Sequence, residues 1–356
     1  MCTHPAGDPH GGLLNGLYDN RQLKKDRRFM KILCIKAFFA ALCIMDFNVH
    51  ANTKILALIP DFGEFRIVLK NVVDELGPSY TVEVVDMNKP HTVSEIAEQC
   101  KQDAIQALLL MDFKAVTMAL ELQKVDSAFK VIPKFVSMTL IAKVATEGLS
   151  NVCGITFEIP VYTLVTNFRI ISQHQFSSVG VFYRKEFASS VNEAIRLLDK
   201  EQVRLESVCL DCEISELATP RKTLQIMENA FKTMWPDRRP DVFLALADNA
   251  IVNNQSLQTF WMKVPRKNRI PVIAPLEKLA GSAIGLAVYA AEPDLVQLGI
   301  QAANQVVDCM ERGEKITAIG FQSVISVTST INQNTAYEIG WKFKRDKLDR
   351  INNIVK

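Results

Sequence analysis

The sequence predicts an α/β protein of two doubly wound parallel-sheet lobes, joined by a hinge that the chain crosses more than once. Three observations predict it. Segments of strand length that are apolar throughout, such as 55–59, 107–111 and 242–247, alternate with amphipathic helices, the pattern of a parallel sheet covered on both faces. The alternation runs as far as residue 157 and restarts beyond the link Phe157-Glu158-Ile159-Pro160. Two further links, at Ala274-Pro275 and across 321–327, return the chain between the halves. The expected division is a leader over 1–51, a first lobe from 52–157 with 275–325, and a second from 158–274 with 326–356. Several crossings make a hinge suited to closure around a ligand.

The amino terminus carries an export pattern. After Met30, Lys31 and Lys36 precede an apolar core over 38–45, which closes on Val49-His50-Ala51. That order is a secretory signal cleaved after Ala51, and the apolar stretch is short for a membrane span. A retained anchor helix over 32–45 is the alternative. Residues 1–29 are a long basic leader or follow a mis-assigned start. Leu42, where a small residue is wanted, argues against lipid attachment at Cys43.

The elements follow in order. A strand over 54–59 leads through Pro60-Asp61-Phe62-Gly63 into a helix over 65–76, stopped by Gly77-Pro78. A strand over 80–85 precedes a helix over 93–102, with Ser94 as its cap. A strand over 107–111 exits at Asp112-Phe113 into a helix over 116–123. Pro133 within 131–136 points to an edge strand or a bulge, and a strand over 152–157 completes the first series. The second series reads helix 160–173, strand 178–183, helix 186–198, strand 203–210, helix 220–233 and strand 242–247. Strands at 270–274 and 286–290 follow, and Glu292-Pro293 opens a helix over 294–312.

Composition narrows the function. Forty-one basic against 39 acidic residues give a net charge of +2, and no basic run with interleaved aromatics speaks for nucleic acid. Of eight cysteines, Cys2, Cys34 and Cys43 lie in the leader. Cys100, Cys153, Cys209, Cys212 and Cys309 remain, and the Cys209-Leu210-Asp211-Cys212 pair is read as unpaired, because residues three apart on a strand face opposite ways. Outside the leader His91 and His174 are too isolated for a zinc site. Neither a nucleophile elbow, a phosphate loop nor a dinucleotide fingerprint is present. The expectation is therefore no catalytic residue, no metal and no cofactor.

Residues 240–340 resemble the ABC-transporter substrate-binding proteins of the type I periplasmic-binding-protein class, in the branch that includes binders of aromatic amino acids. The resemblance rests on Ala247-Asp248-Asn249, Ile270-Pro271-Val272-Ile273-Ala274, the glycines Gly281 and Gly285, Tyr289 with 295–299, Gly313, and the helix over 332–340. It implies a monomeric periplasmic protein that captures a small molecule between two lobes by hinge closure and delivers it to an ABC permease. The alternative is a periplasmic sensor that signals occupancy to a membrane kinase or cyclase. Two places depart from the family: Ser137-Met138-Thr139 lacks the usual Asp and Pro, and Pro275-Leu276-Glu277-Lys278-Leu279 replaces a small polar run. Burying an amino-acid zwitterion requires fixed partners for both charges, so a ligand less polar than an amino acid is expected.

In doubly wound sheets, ligands bind beyond the carboxyl ends of the strands. The candidate contacts are Asp61, Phe62, Asp112, Phe113, Ser137, Thr139, Phe157, Tyr183, Asp248, Asn249, Leu276 and Glu277. Glu158, Arg184 and Lys185 lie at the same strand exits. Phe62, Phe113 and Tyr183 offer aromatic faces. Arg184 and Lys185 suit a ligand carboxylate or phosphate, or a solvated turn, and Asp61, Ser137 and Asp248 are also cap types. Amino-terminal sequencing of the exported protein should begin at Asn52; a product that retains Phe38-Phe39 would contradict cleavage.

Overall fold

The computed structural model describes residues 52–212, 219–233 and 239–356; the leader, its three cysteines and the cleavage site lie outside them. The first sheet contains β1 (Thr53–Ile59), β2 (Tyr80–Asp86), β3 (Ala107–Met111), β4 (Lys134–Thr139), β5 (Val152–Thr156) and β11 (Phe321–Ser323). Its order is β11-β5-β4-β3-β1-β2, parallel throughout. The second contains β6 (Ser178–Tyr183), β7 (Arg204–Cys209), β8 (Val242–Leu244), β9 (Val272–Ala274), β10 (Tyr289–Pro293), β12 (Val327–Asn332) and β13 (Asn353–Val355). Its order is β13-β12-β10-β9-β8-β6-β7.

Alternation along each strand explains why the runs are apolar throughout. In β1, Ile55, Ala57 and Ile59 enter one core, while Leu56 and Leu58 enter the core on the opposite face. β8 divides likewise, Val242 and Leu244 to one side and Phe243 to the other. Each such aliphatic side chain stabilises the fold by about 1.5–3 kcal/mol when fully buried.

The helices are α1 (Gly63–Leu76), α2 (Val93–Gln102), α3 (Phe113–Val125), α4 (Val161–Ile171), α5 (Ala188–Lys200), α6 (Pro220–Thr233), α7 (Leu295–Met310) and α8 (Gln333–Ile339), with shorter turns between them. α2 is capped by Thr92 rather than Ser94: the Thr92 hydroxyl accepts from the Glu95 N–H, and the Glu95 carboxylate accepts from the Thr92 N–H.

Several expectations are corrected. Residues 289–293 form a strand, because their backbone pairs with β9 on one side and β12 on the other. The following helix starts at Leu295, with Asp294 accepting the N–H groups of Val296 and Gln297. The return to the first lobe thus follows Pro293, and 275–293 stays with the second sheet instead of joining the first. β12 runs antiparallel to β10 and carries β13 with it, so the second sheet is mixed. β4 is an interior strand that starts after Pro133, whose missing N–H falls outside the ladder, and its register shifts between Val136 and Thr139. Cys209 and Cys212 are joined in a disulfide. β7 ends at Cys209, and the turn through Leu210 and Asp211 brings the two Cα atoms within 5.6 Å, which a bridge can span.

The chain passes between the sheets three times: between β5 and α4, after β10, and between β11 and β12. Helix α7 secures the middle passage. At Gly299 it approaches α1 so closely that an added Cβ would stand 2.6 Å from the Val68 carbonyl oxygen and 2.7 Å from the Asn71 Cβ. Only a residue without a Cβ fits there. Two residues on, Gln301 donates to the Ser323 carbonyl at 3.0 Å and accepts from the Ile325 N–H at 3.3 Å. Gln305 donates to the Gly154 carbonyl at 3.2 Å. Gly299→Ala should destabilise the protein by about 1–3 kcal/mol, the cost of overpacking, read as a lower midpoint in urea; an unchanged midpoint would show that the two helices are not held in contact.

Candidate functional site

Both sheets share one winding: the second strand in chain order lies outside the first, and the third lies on the first strand's other side. The strand order therefore reverses between β1 and β3 in the first lobe and between β6 and β8 in the second. Crevices open beyond such points.

A recess lies where the lobes meet at the first crossing. Its cavity volume is about 30 Å³, and it is lined by Leu140 after β4, Phe157, Glu158 and Ile159 of the crossing, and Val161 of α4. Phe187, Ser190, Val191, Leu246, Ala247, Pro275 and Leu276 of the second lobe complete it. The wall is apolar except for Ser190 and Glu158. The Glu158 Oε1 atom is buried and has no hydrogen-bond partner. Burial pushes this carboxyl up to about 7, against smaller opposing pulls from its own backbone N–H and from Lys143.

Backbone strain collects at the exits of β3 and β4, the latter leading to Leu140 of the recess. Asp112, between β3 and α3, has φ 87° and ψ 159°, a region essentially reserved for glycine. Its carboxylate accepts the Phe113 N–H at 2.6 Å. Met138 and Ile141, on either side of Thr139-Leu140, have φ 54° and 48°, and for the β-branched Ile141 that is an outlier. Each such conformation costs on the order of 1–3 kcal/mol and clusters at ligand clamps and switches.

The predicted residues divide. Phe157 and Leu276 meet in the recess, and Glu158 stands between them in its wall. Phe62 and Phe113 project from the first lobe, 59% and 57% exposed. Asp61 is engaged by Arg66, Nε to Oδ1 2.5 Å and Nη2 to Oδ2 2.7 Å. The Arg66 hydrogen bonds hold its carboxyl below the usual range. Ser137 and Thr139 are buried within β4 and present no surface to a ligand, because the strand continues through the turn expected there. Asp248 is likewise closed off: Arg184 Nε reaches its Oδ2 at 2.6 Å, and its other oxygen accepts the Ala250 N–H at 2.8 Å. Arg184 also approaches Glu186 at 3.4 Å, so its charge is met within the protein. Tyr183 packs on the second-lobe core, and Asn249 is exposed beside Asp248. Glu277 points to the C-terminal strand, its carboxylate accepting from Asn353 Nδ2 at 3.0 Å.

Leu246 and Ala247 are in the recess because β8 ends at Leu244, three residues before the apolar run does. Phe187 lies in the helical turn just past Arg184-Lys185 and carries no pattern of its own in the sequence. Among the described residues, Cys209, Asp211 and Cys212 bring three ligand-type atoms within 4.8 Å of one another. The two sulfurs are joined to each other, so no thiolate is offered to a metal.

No protein-family model matches the sequence, and no curated protein matches it. Solved structures do. A conserved domain protein from Vibrio cholerae superposes with a TM-score of 0.55 at 16% identity, over 85% of this chain and 99% of that one. A substrate-binding protein with adhesive properties from Clostridium difficile, in its ligand-free open form, gives 0.60 at 15% identity over 86% and 100%. The fold is that of type I periplasmic-binding proteins. A Streptococcus pneumonia ABC domain in complex with L-Trp shares it, with a TM-score of 0.54, 15% identity and coverage of 86% and 100%. In this chain the recess and Glu158 lie where residues of the two lobes meet.

Because the Glu158 pKa is raised on folding, the folded state favours the protonated acid. Its contribution is fully present below the unfolded value, about pH 4.5, and is lost as pH rises through about 7. Glu158→Gln should therefore raise the thermal midpoint by about 2–4 °C near pH 8 and leave it unchanged near pH 4. An equal effect at both values would place the carboxylate in water.

Proposed function

We propose that this chain is a solute-binding protein that captures a small, largely apolar molecule between its two lobes by hinge closure and delivers it to an ABC-type permease. The observation that carries the reading is the recess itself. Its walls come from the first lobe, the second lobe and the first crossing, so an occupant touches all three and favours the state in which they are drawn together. Export through removal of the leader would place the protein in the periplasm, as a monomer without turnover.

The lining supports a ligand less polar than an amino acid. A zwitterion would bring a carboxylate into a wall that offers no cation, and burying a charge without a partner is costly. An aromatic or branched aliphatic body suits the faces of Phe157, Phe187, Leu246 and Leu276. The pneumococcal ABC domain of similar fold is in complex with L-Trp, an aromatic molecule, which supports an aromatic body for the ligand. Phe62 and Phe113 stand exposed on the first lobe and gain cover when the second lobe approaches.

Native mass spectrometry of the exported protein should retain a small molecule. Returning that molecule to stripped protein should reduce the radius of gyration in small-angle scattering. Phe157→Ala should weaken its binding by about 1–3 kcal/mol, the scale of a buried apolar side chain. An unchanged radius at saturation together with wild-type affinity in the variant would mean that the cleft is not the binding site.

A further inference from the structure

The Glu158 carboxylate is an unusual group to leave in an apolar wall. Asp248 is engaged by Arg184 and Glu277 by Asn353, and Glu186, which has one buried oxygen without a partner, faces Arg184 with its other. Glu158 has one oxygen buried without a hydrogen-bond partner, and it is the single ionisable residue in the lining. The charged group that acts on it is Lys143, exposed on the turn Ala142–Ala145, and that influence is the smallest of those on this carboxyl. A buried acceptor left unpaired destabilises the structure, more so when charged. Such a group is expected to be met by something the protein itself does not supply.

We infer that the ligand is an apolar amine, whose ammonium group pairs with Glu158 while its hydrocarbon or aromatic body fills the recess among Phe157, Phe187, Leu246 and Leu276. The inference rests on the proposed binding role and names the ligand class for that site. An ammonium offers donors to both carboxylate oxygens in a charge-assisted contact, and buried charges are stable when paired and hydrogen-bonded. A ligand acid would set two carboxylates side by side in a desolvated space. A neutral alcohol would leave the Glu158 charge uncompensated.

The test uses three matched probes on the full-length exported protein, by isothermal titration calorimetry: phenethylamine, phenethyl alcohol and phenylacetate. Near pH 8 the amine should bind at least about tenfold more tightly than either of the others. Glu158→Gln should remove that preference, so that amine and alcohol bind within about twofold of each other. Between about pH 8 and pH 6 the amine should lose about tenfold in affinity, because Glu158 becomes protonated while the ammonium, titrating near 10, does not. Equal binding of amine and alcohol, or an amine preference that survives Glu158→Gln, overturns the inference. Absence of amine binding overturns it too. Binding of the alcohol alone would leave the proposed role of the recess standing, whereas failure of all three, with no change in radius of gyration on adding the co-purified molecule, would remove both.

Discussion

The close crossing of two helices at Gly299 is the constraint on which the two-lobed arrangement depends. α7 leaves a strand of the second sheet, yet its body is fixed against α1 of the first lobe with no room for a Cβ at the contact. From there Gln301 and Gln305 fasten the third crossing and the end strand pair of the first sheet to the same helix. The chain is thereby obliged to pass to the first lobe after β10 and back after β11, in addition to the crossing between β5 and α4. Three passages of backbone between the lobes would resist sliding and splaying while allowing rotation about a common line, as the proposed hinge closure requires. The recess forms against one of these passages, so whatever fills it acts close to the axis of that rotation.

Electrostatics then decide what the recess can hold. The polar side chains that strand exits commonly present to a ligand are turned away from the recess here. Arg184 and Asp248 close a short ion pair within the second lobe, and Ser137 and Thr139 are drawn into the interior of β4. What remains is a hydrocarbon wall interrupted by Ser190 and by one ionisable side chain, Glu158. In that setting a charged carboxylate is costly alone and strongly attractive to a cation. The strained backbone at Asp112, Met138 and Ile141 belongs to the same region. It reshapes the exits of β3 and β4, and in doing so brings Leu140 toward the recess in place of a polar turn.

Much of the fold is legible in the sequence because strands buried on both faces leave a simple signature. The runs at 107–111 and 178–183 coincide with β3 and β6, and the helices over 93–102 and 220–233 with α2 and α6. The failures fall where pairing rather than hydropathy sets the boundary. Residues 286–290 are more apolar than 289–293, which contain Glu292 and Pro293, yet the ladder with β9 and β12 selects the latter. The Cys209–Cys212 bridge was hidden because a strand continued to Leu210 would have kept the two sulfurs apart. Lys134 shows the reverse: a charge in an apparently interrupted strand is fully buried, its ammonium donating to the carbonyls of Phe129, Ile132 and Ser150. At the site, Phe157 and Leu276 follow from the strand-exit rule. The isolation of Glu158 does not, since it is created by Leu140, Phe187 and Leu246, which come from three separate segments.

The account stands or falls on where the natural ligand sits. A crystal structure of the exported protein with the molecule that co-purifies with it is the most direct measurement. Density between the lobes, in contact with Phe157, Leu276 and Leu140, with the lobes rotated toward each other about the three crossings, is the predicted result. A ligand held elsewhere on the surface, or one held in the recess by lobes that have not moved, would contradict capture by closure.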